Sequence, residues 1–208
     1  MKKLIAVILA LMLTLTGCAP AARLPAYMSD GTPWDHSWTG LGGRIGVEQP
    51  ENGFVLLTTN GNAKDADLYY ATWIAGEETK LPNDAYADDA QLYLMAEDCH
   101  LETDAEDTLS LWREQLGGDF AITEERQLTA AGVEYTLLFY DCLAEDAHYS
   151  CGVMALGVHH ATAITVDLAR VEGYDLDLSA MIEEFLKGFH LACLSFFQGH
   201  PGRGGPTL

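Results

Sequence analysis

Apolar residues follow one another from Leu4 to Leu15, broken only by Thr14, directly behind Met1-Lys2-Lys3. A run of about a dozen residues is short of the roughly 20 that a helix needs to cross a bilayer. A basic start, a short apolar core and then small residues is the pattern of a secretory leader, and residues 1–17 are read as one. From residue 18 to residue 43 the chain keeps no period and carries Pro20, Pro25, Pro33 and several glycines, which reads as a tether. Its Tyr27, Trp34 and Trp38 are unusually aromatic for a free linker and suit packing back onto a domain.

Beyond the tether the pattern is that of a pleated surface. Strands are predicted at Arg44 to Glu48 and at Phe54 to Thr59, with a turn at Pro50-Glu51-Asn52-Gly53 between them; the residue types suit half-buried strands. After the Asn60-Gly61-Asn62 turn, Asp67 to Ala75 sets Leu68, Tyr70, Thr72 and Ile74 against Asp67, Tyr69, Ala71 and Trp73, a strand with two usable faces. Leu92 to Met95 is a further short strand inside an acidic, Ala-rich stretch. Ala121 to Thr129, Val133 to Cys142, Tyr149 to Val158 and Thr162 to Arg170 read as four consecutive strands, and their short links imply antiparallel hairpins.

Two segments carry the helical period instead. Ala105, Leu109, Trp112 and Leu116 share one face, preceded by Thr103-Asp104-Ala105-Glu106 at the spacing of a capping box and followed by Gly117-Gly118 as a stop. From Asp177 to Lys187, Leu178, Met181, Ile182, Phe185 and Leu186 recur on one face and Gly188 ends the run. The tail from residue 194 to 208 is rich in Gly and Pro and reads as flexible. The expected product is an α+β fold, an antiparallel sheet of about six to seven strands with two main helices packed on it, in a single domain over residues 44–193.

Composition changes this picture in one respect. A formal charge of −20 over 208 residues repels phosphate backbones and so disfavours nucleic acid as a partner. With 49% hydrophobic residues, a proper core is available.

The apolar leader ends in Leu15-Thr16-Gly17-Cys18, which resembles the lipobox of bacterial lipoproteins. The resemblance covers about the first twenty residues and implies cleavage before Cys18, a diacylglyceryl group on its thiol, and a mature protein held at the cell membrane or outer membrane without spanning it. Four further cysteines, Cys99, Cys142, Cys151 and Cys193, suit an extracytoplasmic compartment that tolerates disulfides. Three pairings are open; a hairpin joining the strands that end at Cys142 and begin near Cys151 favours that pair, leaving Cys99 and Cys193 paired or free.

The order of elements from Arg44 to Leu191, the Gly132-Val133-Glu134-Tyr135 entry into a long strand and the Gly-Phe-His step after the last helix resemble the PsbP-like group. That resemblance implies a small sandwich whose members act mostly as binding or assembly factors at membranes, and it transfers no functional residue by position.

The candidate chemistry is sparse. Gly40-Leu41-Gly42-Gly43-Arg44-Ile45-Gly46 precedes the first long strand and lacks the strand-to-helix setting of a dinucleotide loop. Asp84, Asp88, Asp89, Glu97, Asp98, Glu102, Asp104, Glu106 and Asp107 are rich in oxygen without a calcium-loop spacing, as are Asn60, Asn62, Asp65 and Asp67. His159-His160 sits at a strand link, where adjacent side chains are expected on opposite faces, and His148 with Asp141 and Asp146 suits a polar hairpin loop. No C-x-x-C, G-x-S-x-G, H-E-x-x-H or P-loop is present, so no catalytic residue, metal or cofactor is implied. The expectation is a lipid-anchored, non-enzymatic binding or assembly module whose partner is an envelope protein or small ligand. An envelope hydrolase and an acidic calcium-dependent interaction protein are the alternatives.

Overall fold

The computed structural model describes residues 39–50, 53–61, 67–76, 79–80, 86–87, 89–144 and 147–192. The predicted leader, Cys18, Tyr27, Trp34, Trp38, Cys193 and the Gly- and Pro-rich tail lie outside the described residues. The main sheet has seven antiparallel strands: β3 (Val55–Thr59), β4 (Leu68–Ala75), β7 (Ala90–Asp98), β8 (Phe120–Ala130), β9 (Val133–Cys142), β10 (Cys151–His159) and β11 (Thr162–Arg170), in the spatial order β3-β4-β7-β11-β10-β9-β8. A smaller sheet joins β1 (Thr39–Gly40), β2 (Ile45–Val47) and β12 (Phe189–Leu191), and β5 (Thr79–Lys80) pairs with β6 (Tyr86–Ala87). The helices are α1 (Glu102–Asp119) and α2 (Leu178–Lys187).

Two-residue alternation sends each strand's side chains to opposite faces, and the faces are covered differently. On the inner face, Tyr69, Ala71 and Trp73 of β4 stand opposite Ala96, Leu94 and Leu92 of β7, which in turn oppose Ile164, Val166 and Leu168 of β11. All are buried. Over them lies α2, whose Met181, Ile182, Phe185 and Leu186 are buried, each contributing about 1.5–3 kcal/mol of transfer free energy. The rings of Trp73 and Phe185 meet edge to face at 5.3 Å. Beside α2 the small sheet adds Ile45, Val47 and Phe189 to the same core, and Arg44 Nη1 fastens it to the end of β7 through Asp98 Oδ2 at 2.5 Å. Burial raises the Asp98 carboxyl's pKa, but the Arg44 guanidinium and the His100 N–H outweigh that and hold it below its ordinary value.

The outer face carries a second, smaller core of Leu138, Tyr140, Met154 and Leu156, closed by Leu116 of α1 with Leu109 and Trp112 against it. α1 thus covers β9, β10 and β11 and leaves the β3-β4-β7 half without a described helix.

Several boundaries differ from those the sequence suggests. β1 lies within the stretch read as tether: Thr39 and Gly40 pair with Gly46 and Ile45, and Leu41 is buried. Two- and three-residue strands such as β1 and β12 are too short to show a period. The Thr103 capping box does not form; Leu101 is the cap residue without a side-chain hydrogen bond, because a turn through His100, at φ 63°, starts the helix two residues earlier. Gly117 and Gly118 do not stop α1. They lie in its last turn, and Phe120 leaves it directly in the extended conformation as β8 begins. The second helix matches its pattern, with the Asp177 carboxylate accepting from the Ala180 N–H at 3.0 Å.

On the inner face of β10, Gly157 opposes Tyr135 of β9. A Cβ there would stand 2.5 Å from Tyr135 Cδ1 and 2.9 Å from Val133 Cγ1, so the tyrosine ring occupies the room the glycine leaves. The fully buried Tyr135 hydroxyl has no hydrogen-bond partner. Gly157→Ala is expected to lower stability by about 1–3 kcal/mol through overpacking, whereas Tyr135→Phe, which deletes an unsatisfied buried hydroxyl, is expected to raise it by about 1 kcal/mol. Urea unfolding midpoints check both, and a destabilised Tyr135→Phe variant would show that the hydroxyl is paired.

Candidate functional site

The residues that combine charge, burial and access lie on the outer face, where the part covered by α1 meets the part that is not. Asp167 is the single acidic residue within Thr162-Ala-Ile-Thr-Val-Asp-Leu-Ala-Arg170. It stands opposite Met154 on β10 and Tyr93 on β7, and its side chain is half-buried. The Tyr140 hydroxyl donates to Asp167 Oδ1 at 2.7 Å. That bond spans β10 because Gly152 lies beneath the ring: a Cβ there would overlap the hydroxyl end of Tyr140 and stand 2.7 Å from the Leu168 carbonyl oxygen.

Desolvation by the surrounding apolar atoms pushes the Asp167 carboxyl from 3.8 up to about 6, against the opposing pull of the Tyr140 hydrogen bond. Burial, then the Asp167 charge, shifts the Tyr140 hydroxyl strongly upward, so Tyr140 remains a donor. The Cys142 thiol is raised first by burial and then by Asp167, Cys151 and Asp141. No described base faces Asp167: Arg44, Arg113 and Arg126 pair with Asp98, Glu125 and Glu124, and Arg170, three positions along β11, points to the opposite face and donates to the Tyr174 carbonyl.

From Asp167 the face continues over Tyr93 and Met95 of β7 and Tyr70 and Ile74 of β4, all half-buried, to Val55 of β3 opposite Ile74. Val55 and Leu57 are 56% and 58% exposed. Burial and the neighbouring Tyr70 raise the Tyr93 hydroxyl's pKa. The arrangement offers an apolar and aromatic surface interspersed with Thr58, Thr72 and Gln91 and carrying two carboxylates, Asp167 and Glu97.

The residues singled out from sequence fall elsewhere. Cys142 and Cys151 come close without being opposite: Cys151 opposes Asp141, and Cys142 donates its backbone N–H to Ser150. No disulfide joins Cys99, Cys142 or Cys151 in the structure, and the Cys142 thiol lies within the electrostatic reach of Cys151. His159 and His160 meet edge to face at 4.5 Å, closer than a regular strand allows, because His160 adopts φ 54° in the turn. Nε2 of His159 is buried without a partner, and burial followed by the His160 charge depresses its pKa. His148 meets the Tyr149 ring edge to face at 4.6 Å and Asp141 is exposed; Asp146 lies outside the described residues. Asn60 extends the sheet: its amide donates to the Leu68 carbonyl and its oxygen accepts from the Tyr70 N–H. The Gly40–Gly46 stretch is the β1-β2 hairpin. Among the described residues no three His, Cys, Asp or Glu side chains gather as metal ligands. Asp167 and Tyr140 are not among the residues that the sequence singles out; the available signal is a lone acid in the middle of an otherwise apolar or small-residue strand that ends in Arg170.

No family model matches the chain, and no curated protein matches it. Among solved structures it is similar to the solution structure of cyanobacterial PsbP (CyanoP) from Synechocystis sp. PCC 6803, with a TM-score of 0.36 and 13% identity, over 59% of this chain and 86% of that one.

The raised Asp167 carboxyl couples stability to pH. Because its folded pKa lies above the unfolded one, its contribution is fully present below pH of about 4 and is lost as pH rises through about 6. Above that, the ionised, half-buried group costs about 1–3 kcal/mol. Asp167→Asn keeps an acceptor for Tyr140 and cannot ionise, so its stability gain over the parent is expected to grow from near zero at pH 4 to that amount at pH 7. Parallel thermal or urea unfolding across this range checks it; a gain independent of pH would refute the assignment.

Proposed function

We propose that the protein is an exported lipoprotein, anchored through Cys18 to the cell membrane or outer membrane, that acts as a non-enzymatic binding or assembly module. The single observation that carries the binding role is the half-face of β3, β4 and β7, where Val55, Ile74 and Tyr93 remain accessible while the other half of the same face is closed by α1. Contiguous apolar surface of this kind, rimmed by polar groups, marks interaction sites. The address rests on the basic and apolar leader and on Leu15-Thr16-Gly17-Cys18. No helix among the described residues is long and apolar enough to cross a membrane, and the anchoring proposed needs none.

Intact mass spectrometry of the protein taken from its native membrane tests the address. The expected species begins at Cys18 and carries a diacylglyceryl group, and alkylation before and after reduction counts the disulfides among Cys99, Cys142, Cys151 and Cys193. A chain that still begins at Met1, or one that begins after Cys18 without lipid, overturns the anchored reading.

A further inference from the structure

We propose that the open half of the outer face receives a basic amphipathic helix of a partner polypeptide, with a lysine or arginine of that helix pairing with the Asp167 carboxylate beside the Tyr140 hydroxyl. This rests on the binding-module reading and gives it a surface and a partner chemistry.

Geometry sets the occupant's shape. The open half spans β3, β4 and β7, two strand spacings or about 10 Å, with Asp167 of β11 on its border with the part that α1 covers. A helix with its side chains is about 10–12 Å across. α1 already covers the other half of this face, seating Leu116 on Leu138, Tyr140, Met154 and Leu156. A second helix beside it completes a two-layer packing with the same sheet. Two small cavities, of about 10 and 90 Å³ and lined by residues such as Ile45 and His159 or Met181 and Phe185, lie on the inner-face side.

Charge sets its sign. Asp167 has a hydrogen-bond donor in Tyr140, no cation faces it among the described residues, and the described arginines are engaged elsewhere or face away. An incoming lysine or arginine, whose long apolar stem can cross Tyr93 and Met95 before its head reaches the carboxylate, supplies what the fold withholds. The −20 charge of the chain steers basic partners inward and opposes a second copy of itself.

The test uses the full chain in its native membrane, with a photo-crosslinking residue placed in turn at Val55, at Ile74 and, as a control surface, at Leu111 of α1, which is 60% exposed. The expected result is an adduct from Val55 and Ile74 that maps by mass spectrometry to a Lys- or Arg-bearing amphipathic segment of another protein. Its yield should fall roughly tenfold in Asp167→Asn, the loss expected of a desolvated charge pair, and stay unchanged in Glu172→Gln, an exposed turn residue. Unchanged unfolding midpoints, or higher ones, in Asp167→Asn separate lost binding from lost folding. Adducts to this chain's own residues before Thr39, to a second copy, or to a segment without a base overturn the proposal, as does a yield indifferent to Asp167→Asn. Adducts from Leu111 alone would sink the proposed face and keep the binding-module reading, whereas silence from all three positions would sink both.

Discussion

Strand β10, inside the main sheet between β11 and β9, has a glycine on each side of the sheet, and each glycine supports a tyrosine of the neighbouring β9. Gly152 lies under Tyr140 on the outer face and Gly157 under Tyr135 on the inner one. A strand without Cβ atoms at these points lets a ring lie across the pleat, so that a β9 side chain reaches toward β11 over a full strand spacing. The register that places both rings over both glycines is one alignment of β9 with β10, and a shift by one residue would put every β9 side chain on the wrong face. Gly40 meets Tyr69 in the same way where the small sheet joins β4. Tyrosine rings over glycines therefore join strand to strand and sheet to sheet.

The Gly152 contact also creates the site. Without the glycine the Tyr140 hydroxyl could not reach Asp167, and the carboxylate would sit among apolar atoms with no donor. With it, one neutral hydrogen bond is made and no counter-charge is supplied. A single neutral donor contributes less than the desolvation cost of the ion, which is why the carboxyl's pKa settles well above its ordinary value. An ionised carboxylate held this way is expected to cost the isolated protein stability at neutral pH, where a Leu or Val would fit the strand pattern without that cost.

How much of this was legible in the sequence follows from the length scale of each signal. The 9- and 10-residue strands β9 and β11 were read to the residue, because long alternation and flanking turns leave little choice, and the buried stripe of α2 was equally plain. Two-residue β1 and three-residue β12 have no period to read and are strands only because β2 lies between them. Turn geometry was similarly hidden: His100 and His160 take positive φ, which moves the start of α1 in one case and swings two imidazoles together in the other. The site was the least legible part, since Asp167 and Tyr140 are 27 residues apart and meet only through register.

The two edges of the main sheet carry the same asymmetry as its outer face. At one edge, β8 bears Glu124, Glu125 and Arg126, and both helices reach it: Arg113 of α1 pairs with Glu125 at 2.6 Å, and Arg126 donates to Ser179 of α2 at 2.9 Å while its guanidinium lies over Phe139. Exposed pairs of this kind add little stability, but charge along an edge strand deters uncontrolled pairing with other chains. At the other edge, β3 reads Val-Leu-Leu-Thr-Thr, uncharged, with a bulge between Leu56 and Thr58 that leaves Leu57 exposed. The bulge distorts the ladder enough to discourage a new strand from adding in register, while the apolar side chains stay available to a partner that approaches the face. A chain this acidic has charge to spare for both edges. That it is spent on β8 and withheld from β3 leaves one edge guarded by charge and the arms of both helices and the other guarded by its bulge alone among the described residues.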